Sequence, residues 1–296
     1  MKKSSSRKLV DAKLKIEAAS ALDRHQVGYQ ARALVLATLP HKKTTENFYK
    51  RSNGSFNLEL SQNTAKVGLP YGSIPRLLLA YMATEAVKSQ SREIPLGNNL
   101  SQFMKKLGLV PTGGRWGSIT SLKDQVRRLA YCSMTLSQTT INEDSGVVTE
   151  NFSNLNIASG GSFHWAKNPD QKDLWNSTVT LSEGFYEEII NHPIPLDLEV
   201  LKALRRSPLA LDVYSWLTYR TSYQKGSSRP IPWVSLQAQF GADYADNATG
   251  KRDFKKNFLK ALKKVEFLYE GANTTVVDNG LMIRQGKPSV TKRVAK

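Results

Sequence analysis

The sequence predicts an α+β fold made of two tandem units of one kind, and three observations predict it. An order of helix, short strand, helix, helix and strand pair is written twice along the 296 residues. Matching words sit at one spacing: Ser91-Arg92-x-Ile94-Pro95 and Ser228-Arg229-x-Ile231-Pro232 lie 137 residues apart, and at the same offset Gln102-Phe103 matches Gln239-Phe240. The third helix of each unit falls in a strongly basic segment. Length agrees, since about 150 residues per domain gives two. The hydrophobic share of 40% is enough for a core.

Each element has its own reason. Residues 1–8 are Lys/Ser-rich and read as disordered. Leu9, Val10, Leu14, Ile16, Ala18, Ala21 and Leu22 then follow a loose helical pattern. Residues 32–39 form a short apolar run that fits a strand or a buried helix. Residues 56–60 alternate with period two after the turn at Asn53-Gly54. Ser73 as N-cap and Pro75 in the first turn open a helix that continues to about Ser89. Residues 92–96 read as a short strand. Leu100, Phe103, Met104 and Leu107 mark a second helix, stopped by Gly108. A Gly-rich loop, 111–117, leads to Ser118 as N-cap of a third helix with Ile119, Leu122, Val126 and Leu129 on one face. Residues 133–141 and 147–157 read as a hairpin about the turn at 143–146.

The second unit repeats the order. Ser207-Pro208 opens a helix, 229–233 is a short strand, 234–240 a helix ended at Gly241, and 250–265 a third helix. Residues 267–269, 274–277 and 281–284 supply strands, with Asp278-Asn279-Gly280 as a turn. This is the element order of the winged helix, whose third helix enters the major groove with its hairpin alongside. The expected organisation is a basic, partly disordered segment at 1–26, winged-helix domains at 27–190 and 191–290, and a basic tail at 291–296.

A net charge of +17 calls for a polyanion. The longest apolar stretches, 34–39 and 77–83, fall far short of the roughly 18 residues that span a bilayer. The basic N-terminus has no apolar run behind it, as a secretory signal would. A cytoplasmic protein with no membrane partner is expected. The charge is segregated: six basic and one acidic residue at 101–131, twelve and four at 250–296, but two and ten at 141–200. Two cationic surfaces with an acidic middle facing away fit a nucleic-acid ligand.

The candidate contacts lie on the two third helices. On 250–265 they are Lys251, Arg252, Lys255, Lys256, Asn257, Lys260 and Lys263, with Arg252, Lys256, Lys260 and Lys263 forming one stripe at helical spacing. The planar groups of Arg252 and Asn257 suit guanine and adenine edges, while the lysines suit phosphates. Around 118–131 they are Arg115, Lys123, Arg127 and Arg128, with Ser118, Thr120 and Ser121 able to bind phosphate at the helix start. Trp116 reads as a core anchor in preference to a stacking residue.

Chemistry is not indicated. The loops 113–118 and 248–252 do not fit the phosphate-binding pattern of an ATPase. His25, His41, His164 and His192 are far apart, and one cysteine, Cys132, allows neither an internal disulfide nor a cysteine-based zinc site. Glu183, Glu187 and Glu188 read as a solvated helix face. No catalytic residue, cofactor or metal is expected.

Several ordered words have a family likeness. Ala31-Arg-Ala-Leu-Val-Leu-Ala-Thr-Leu-Pro-His41, Gly68-Leu-Pro-Tyr-Gly-Ser-Ile-Pro-Arg-Leu-Leu78, Leu100-Ser-Gln-Phe-Met104, Gly113-Gly-Arg-Trp-Gly-Ser118 and Leu122-x-x-Gln125-x-x-Arg128-Leu129 resemble the plasmid-encoded RepA replication initiator family. The resemblance covers roughly residues 27–240. It implies binding to repeated sites (iterons) in double-stranded plasmid origin DNA, opening of an AT-rich segment, and recruitment of host helicase, primase and initiator proteins. It also implies homodimers that repress their own promoter, with the first domain supplying the dimer surface and the second most base contacts. The alternatives are a plasmid transcriptional regulator, a DNA-nicking relaxase and an RNA-binding protein.

Overall fold

The chain is mixed helix and strand, of the α+β class, in a computed structural model that describes residues 2–18, 26–64, 67–97, 99–164, 176–241 and 243–290. Residues 19–25, into which the N-terminal helical pattern was expected to run, and the basic tail 291–296 lie outside the described residues.

The order begins with α1 (Lys2–Ala18), β1 (Val27–Ala31), α2 (Arg32–Leu36), β2 (Phe48–Asn53) and β3 (Phe56–Gln62). A first series follows: α3 (Ser73–Ser89), β4 (Glu93–Pro95), α4 (Leu100–Lys106), α5 (Ser118–Ala130), β5 (Cys132–Ile141), β6 (Val148–Asn156), β7 (Ala158–Ser162) and β8 (Thr178–Leu181). A linking stretch holds α6 (Glu183–Asn191), β9 (Pro193–Asp197) and α7 (Leu198–Leu204). The second series is α8 (Pro208–Tyr223), β10 (Ile231–Pro232), α9 (Trp233–Phe240), α10 (Ala248–Leu268), β11 (Thr274–Val277) and β12 (Gly280–Ile283).

The repeated words now have places. Ile94 pairs with Val179 between β4 and β8, and Ile231 with Leu281 between β10 and β12. The sheets run β4-β8-β7 and β10-β12-β11, the same order in both series. Phe103 on α4 meets Tyr81 on α3 edge to face at 5.1 Å, and Phe240 on α9 meets Trp216 on α8 in the same way at 5.4 Å. All four rings are buried. Gly108 ends α4 as expected: at φ 72° it lets its N–H reach the carbonyl of Lys105 while Leu109 N–H reaches Met104.

Four expectations need correction. Residues 133–141 and 147–157 do form a hairpin, β5–β6, but it is not the hairpin beside α5. It joins the four-stranded sheet β2-β3-β5-β6, and the hairpin equivalent to β11–β12 is β7–β8. Alternation shows that a segment is a strand but not its partner, and the Gly/Ser-rich β7 carries little apolar signal. Residues 267–268 are the end of α10, because Val265 and Leu268 continue its buried face. Residues 2–8 are helical within α1, where composition predicts disorder; Leu9, Ala12 and Ile16 pack against the core, and Lys13 Nζ lies 2.6 Å from Glu270. Finally, Ser73 and Ser118 are first helical residues, with Gly72 and Gly117 at the N-cap positions.

The run at 32–39 resolves into α2, with Ala33, Leu34 and Val35 buried. Glu188 is not merely solvated: its carboxylate accepts the N–H of Ala33 at 3.0 Å at the start of that helix. Strands β1 and β9 pair along their whole length, so this two-stranded sheet joins the segment before the first series to the linking stretch, across position 190.

Candidate nucleic-acid interface

Helix α10 is built from its buried side outward. Asn247 caps it by accepting the Gly250 N–H at 2.8 Å. Phe254, Phe258, Ala261, Leu262, Val265 and Leu268 are buried. Phe254 and Phe258 sit in an aromatic cluster with Phe240, Trp233 and Tyr244, with centroids 5.6–6.1 Å apart. That cluster fixes which face is left to water.

The exposed face carries Arg252, Lys256, Lys260 and Lys263, as the helical stripe expected. Arg252 is 76% exposed, with its neighbour Asp253 at 3.8 Å. Lys251 is exposed and paired with Asp246 at 2.9 Å. Lys255 is half-buried, its Nζ 4.7 Å from the centre of the Trp233 ring. Asn257 turns aside from the stripe. Its side chain hydrogen-bonds Tyr244, and it lines a cleft of about 740 Å³ with His41, Arg206, Lys260 and Lys264.

Helix α5 sorts its candidates more sharply. Arg127 is exposed, whereas Arg128 is 8% exposed. Arg128 donates to Asp124 at 2.7 Å and to the Leu69 carbonyl at 3.1 Å, and lies over the Tyr71 ring. It is a structural residue, which corrects its expected place among the DNA contacts. The two arginines sit about 100° apart on the helix, and the 68–71 segment covers one of them. Ser118 is likewise spent: its hydroxyl donates to the Val110 carbonyl at 2.6 Å and accepts the Thr112 N–H at 2.9 Å. Thr120 and Ser121 are exposed but donate to the carbonyls of Gly114 and Gly117. Lys123 and Arg127 line a shallow surface depression with Thr120.

Arg115 remains on the surface, its guanidinium 5.2 Å from the centre of the Trp116 ring. Trp116 itself is 88% exposed. It is not a core anchor, because the loop 111–117 is held to α5 by polar contacts and gives the indole no wall to pack on.

Among the described residues no group of His, Cys, Asp and Glu could hold a metal ion, and no helix is long and apolar enough to cross a membrane. Burial pushes the Cys132 thiol up to about 12, away from the range of a nucleophile.

The model of the family of plasmid-encoded RepA proteins matches residues 69–233, more than half of the chain. The chain belongs to this replication initiator family. No curated protein sequence matches it. Two crystal structures of RctB domains 2 and 3 share the fold at 13% identity. One has a TM-score of 0.53 over 86% of this chain and 97% of that one; the other has 0.55 over 88% and 99%.

The words that carry the RepA resemblance are largely a structural joint. Gly68 has no side chain because the Arg128 guanidinium occupies its place, 2.4 Å from where a Cβ would stand. Gln125 accepts the Tyr71 N–H at 2.9 Å beside it. Arg76, from the same word as Gly68, is 5% exposed and donates to Gly72, Leu39 and both carboxylate oxygens of Asp212, the last two at 2.7 Å. His41 Nε2–H donates to Asp212 Oδ2 at 2.7 Å. This RepA-family chain thus ties its first series to α8 of its second through one buried ion network, which sequence reading did not find because its members lie far apart in the chain.

The network has a pH signature. Burial favours neutral Asp212, but Arg76 and His41 outweigh it and hold the carboxyl below the usual range. Burial, with Arg76, pushes His41 down despite Asp212. A histidine depressed in the folded state adds stability above its unfolded value near 6.5, and that stability is lost as pH falls. The melting temperature is therefore expected to drop as pH falls below about 6.5, while Asp212 stays ionised. H41N should flatten this dependence in calorimetry; an equally steep curve would assign the loss to other groups.

Proposed function

We propose that this chain starts plasmid replication by binding repeated sites in duplex origin DNA through two winged-helix units, and works without chemistry of its own. In this reading α5 and α10 are the recognition helices, with β7–β8 and β11–β12 as the wings. The observation that carries it is α10: a basic stripe, open to solvent, backed by a buried aromatic cluster that sets its direction. Its position as third helix of a repeated series supports a groove-binding role over that of a plain solvated helix.

Two such helices in successive major grooves cover about 20 bp. Bending and opening of the adjacent AT-rich tract, host helicase and primase recruitment, and repression of its own promoter by a homodimer complete the reading. Neutralising about eight phosphates gives a slope near −7 for log affinity against log salt on DNA flanking the coding region. A slope near −1 would sink the two-surface model. The same preparation, incubated with supercoiled origin DNA and a divalent metal, is expected to leave it intact. A nicked product or a covalent 5′ adduct would show a relaxase instead.

A further inference from the structure

We propose that Trp116 is a stacking platform for an unpaired base of single-stranded DNA. The proposal deepens the origin-binding reading and rests on it. Trp116 is 88% exposed, more than any other large apolar side chain among the described residues. Leaving an indole in water forgoes the stabilisation that burial of so large an apolar surface gives.

The exposure is not that of a loose loop tip. Ser118 N–H and the Thr112 hydroxyl, Thr112 N–H and the Ser118 hydroxyl, and the Thr120 hydroxyl and the Gly114 carbonyl bind the loop to α5, all at 2.9 Å. Gly117 N–H adds a turn to Gly114 at 3.1 Å. The ring is therefore presented from a fixed base. Arg115 lies 5.2 Å from the ring centre, so it covers at most one face of the indole and keeps a cation beside it that can answer a neighbouring phosphate.

The surroundings select the partner. In a duplex the face of every internal base is covered by the next, so a free indole face on a protruding loop fits a base that has left the stack. An apolar protein groove would also take a tryptophan. Charge decides between them: segment 101–131 has six basic residues and one acidic, and that acid, Asp124, is already paired with Arg128 at 2.7 Å. An initiator that opens duplex creates the ligand this site fits.

The test uses the full chain, a labelled 30-nucleotide oligo(dT), and duplex from the DNA flanking the coding region. W116A is expected to weaken oligo(dT) binding about 10-fold, the order of one lost base stack. W116F should recover most of it, and duplex affinity should stay within about two-fold for both. Melting curves and sedimentation should match the unsubstituted chain. Equal loss on duplex, unchanged oligo(dT) binding, or a change in self-association alone would each overturn the proposal. Duplex binding by the unsubstituted chain reports on the origin reading separately.

Discussion

Replacing Arg252 and Lys256 together by alanine is expected to weaken binding to origin duplex by about 10- to 100-fold at moderate salt. One arginine in contact with a base edge contributes about 1–3 kcal/mol of binding, and each lost phosphate contact makes the salt slope shallower by about 1. Both side chains are exposed and sit opposite the buried phenylalanines, so the melting curve should not move. Footprinting and a salt titration check both points. Unchanged binding would move the readout away from α10; a lost footprint with a lowered melting temperature would make the pair structural.

Asp212→Ala is expected to destabilise the chain by about 3–5 kcal/mol, the usual cost of leaving a buried partner charge uncompensated. Asp212 is 6% exposed and answers both Arg76 and His41, and among the described residues no other carboxylate is bonded to either. For a chain of this size the melting temperature should fall on the order of 10 °C. The paired replacement R76M/D212L removes both charges from the same space and should recover much of the loss, because burying an ion pair carries its own desolvation cost. A D212A protein as stable as the original would mean that water reaches the network freely. A large loss in R76M/D212L as well would place the stabilisation in Arg76's bonds to the Leu39 and Gly72 carbonyls.

The local elements were largely legible. The strand at 274–277 was readable to the residue and the helix at 73–89 to within one, because period, turn residues and caps are local signals. The stripe on α10 was legible for the same reason, since seven turns or fewer of helix keep their phase. Strand partnership was not legible. The alternation in β5 and β6 fits any neighbouring strand, and the contrast with the glycines of β7 drew attention to the wrong hairpin. The candidates on α5 divide on the same ground. Arg127 and Arg128 are equivalent in sequence, and only the approach of Gly68 and Leu69 decides which of them meets solvent.

By itself, then, the sequence determined that this chain is an α+β protein of the RepA family, with one element order written twice and basic residues concentrated around two of its helices. Tertiary structure alone decided what each charge and ring is for. Arg76, Arg128 and Asp212 go inward because partners distant in the chain complete their hydrogen bonds there, and an ion left without them could not be buried. Trp116 goes outward because the loop that holds it spends its contacts on the backbone and offers the ring no apolar wall. Composition fixes how many cations and aromatics a chain has; desolvation, settled by neighbours brought from elsewhere, sorts them between core and surface.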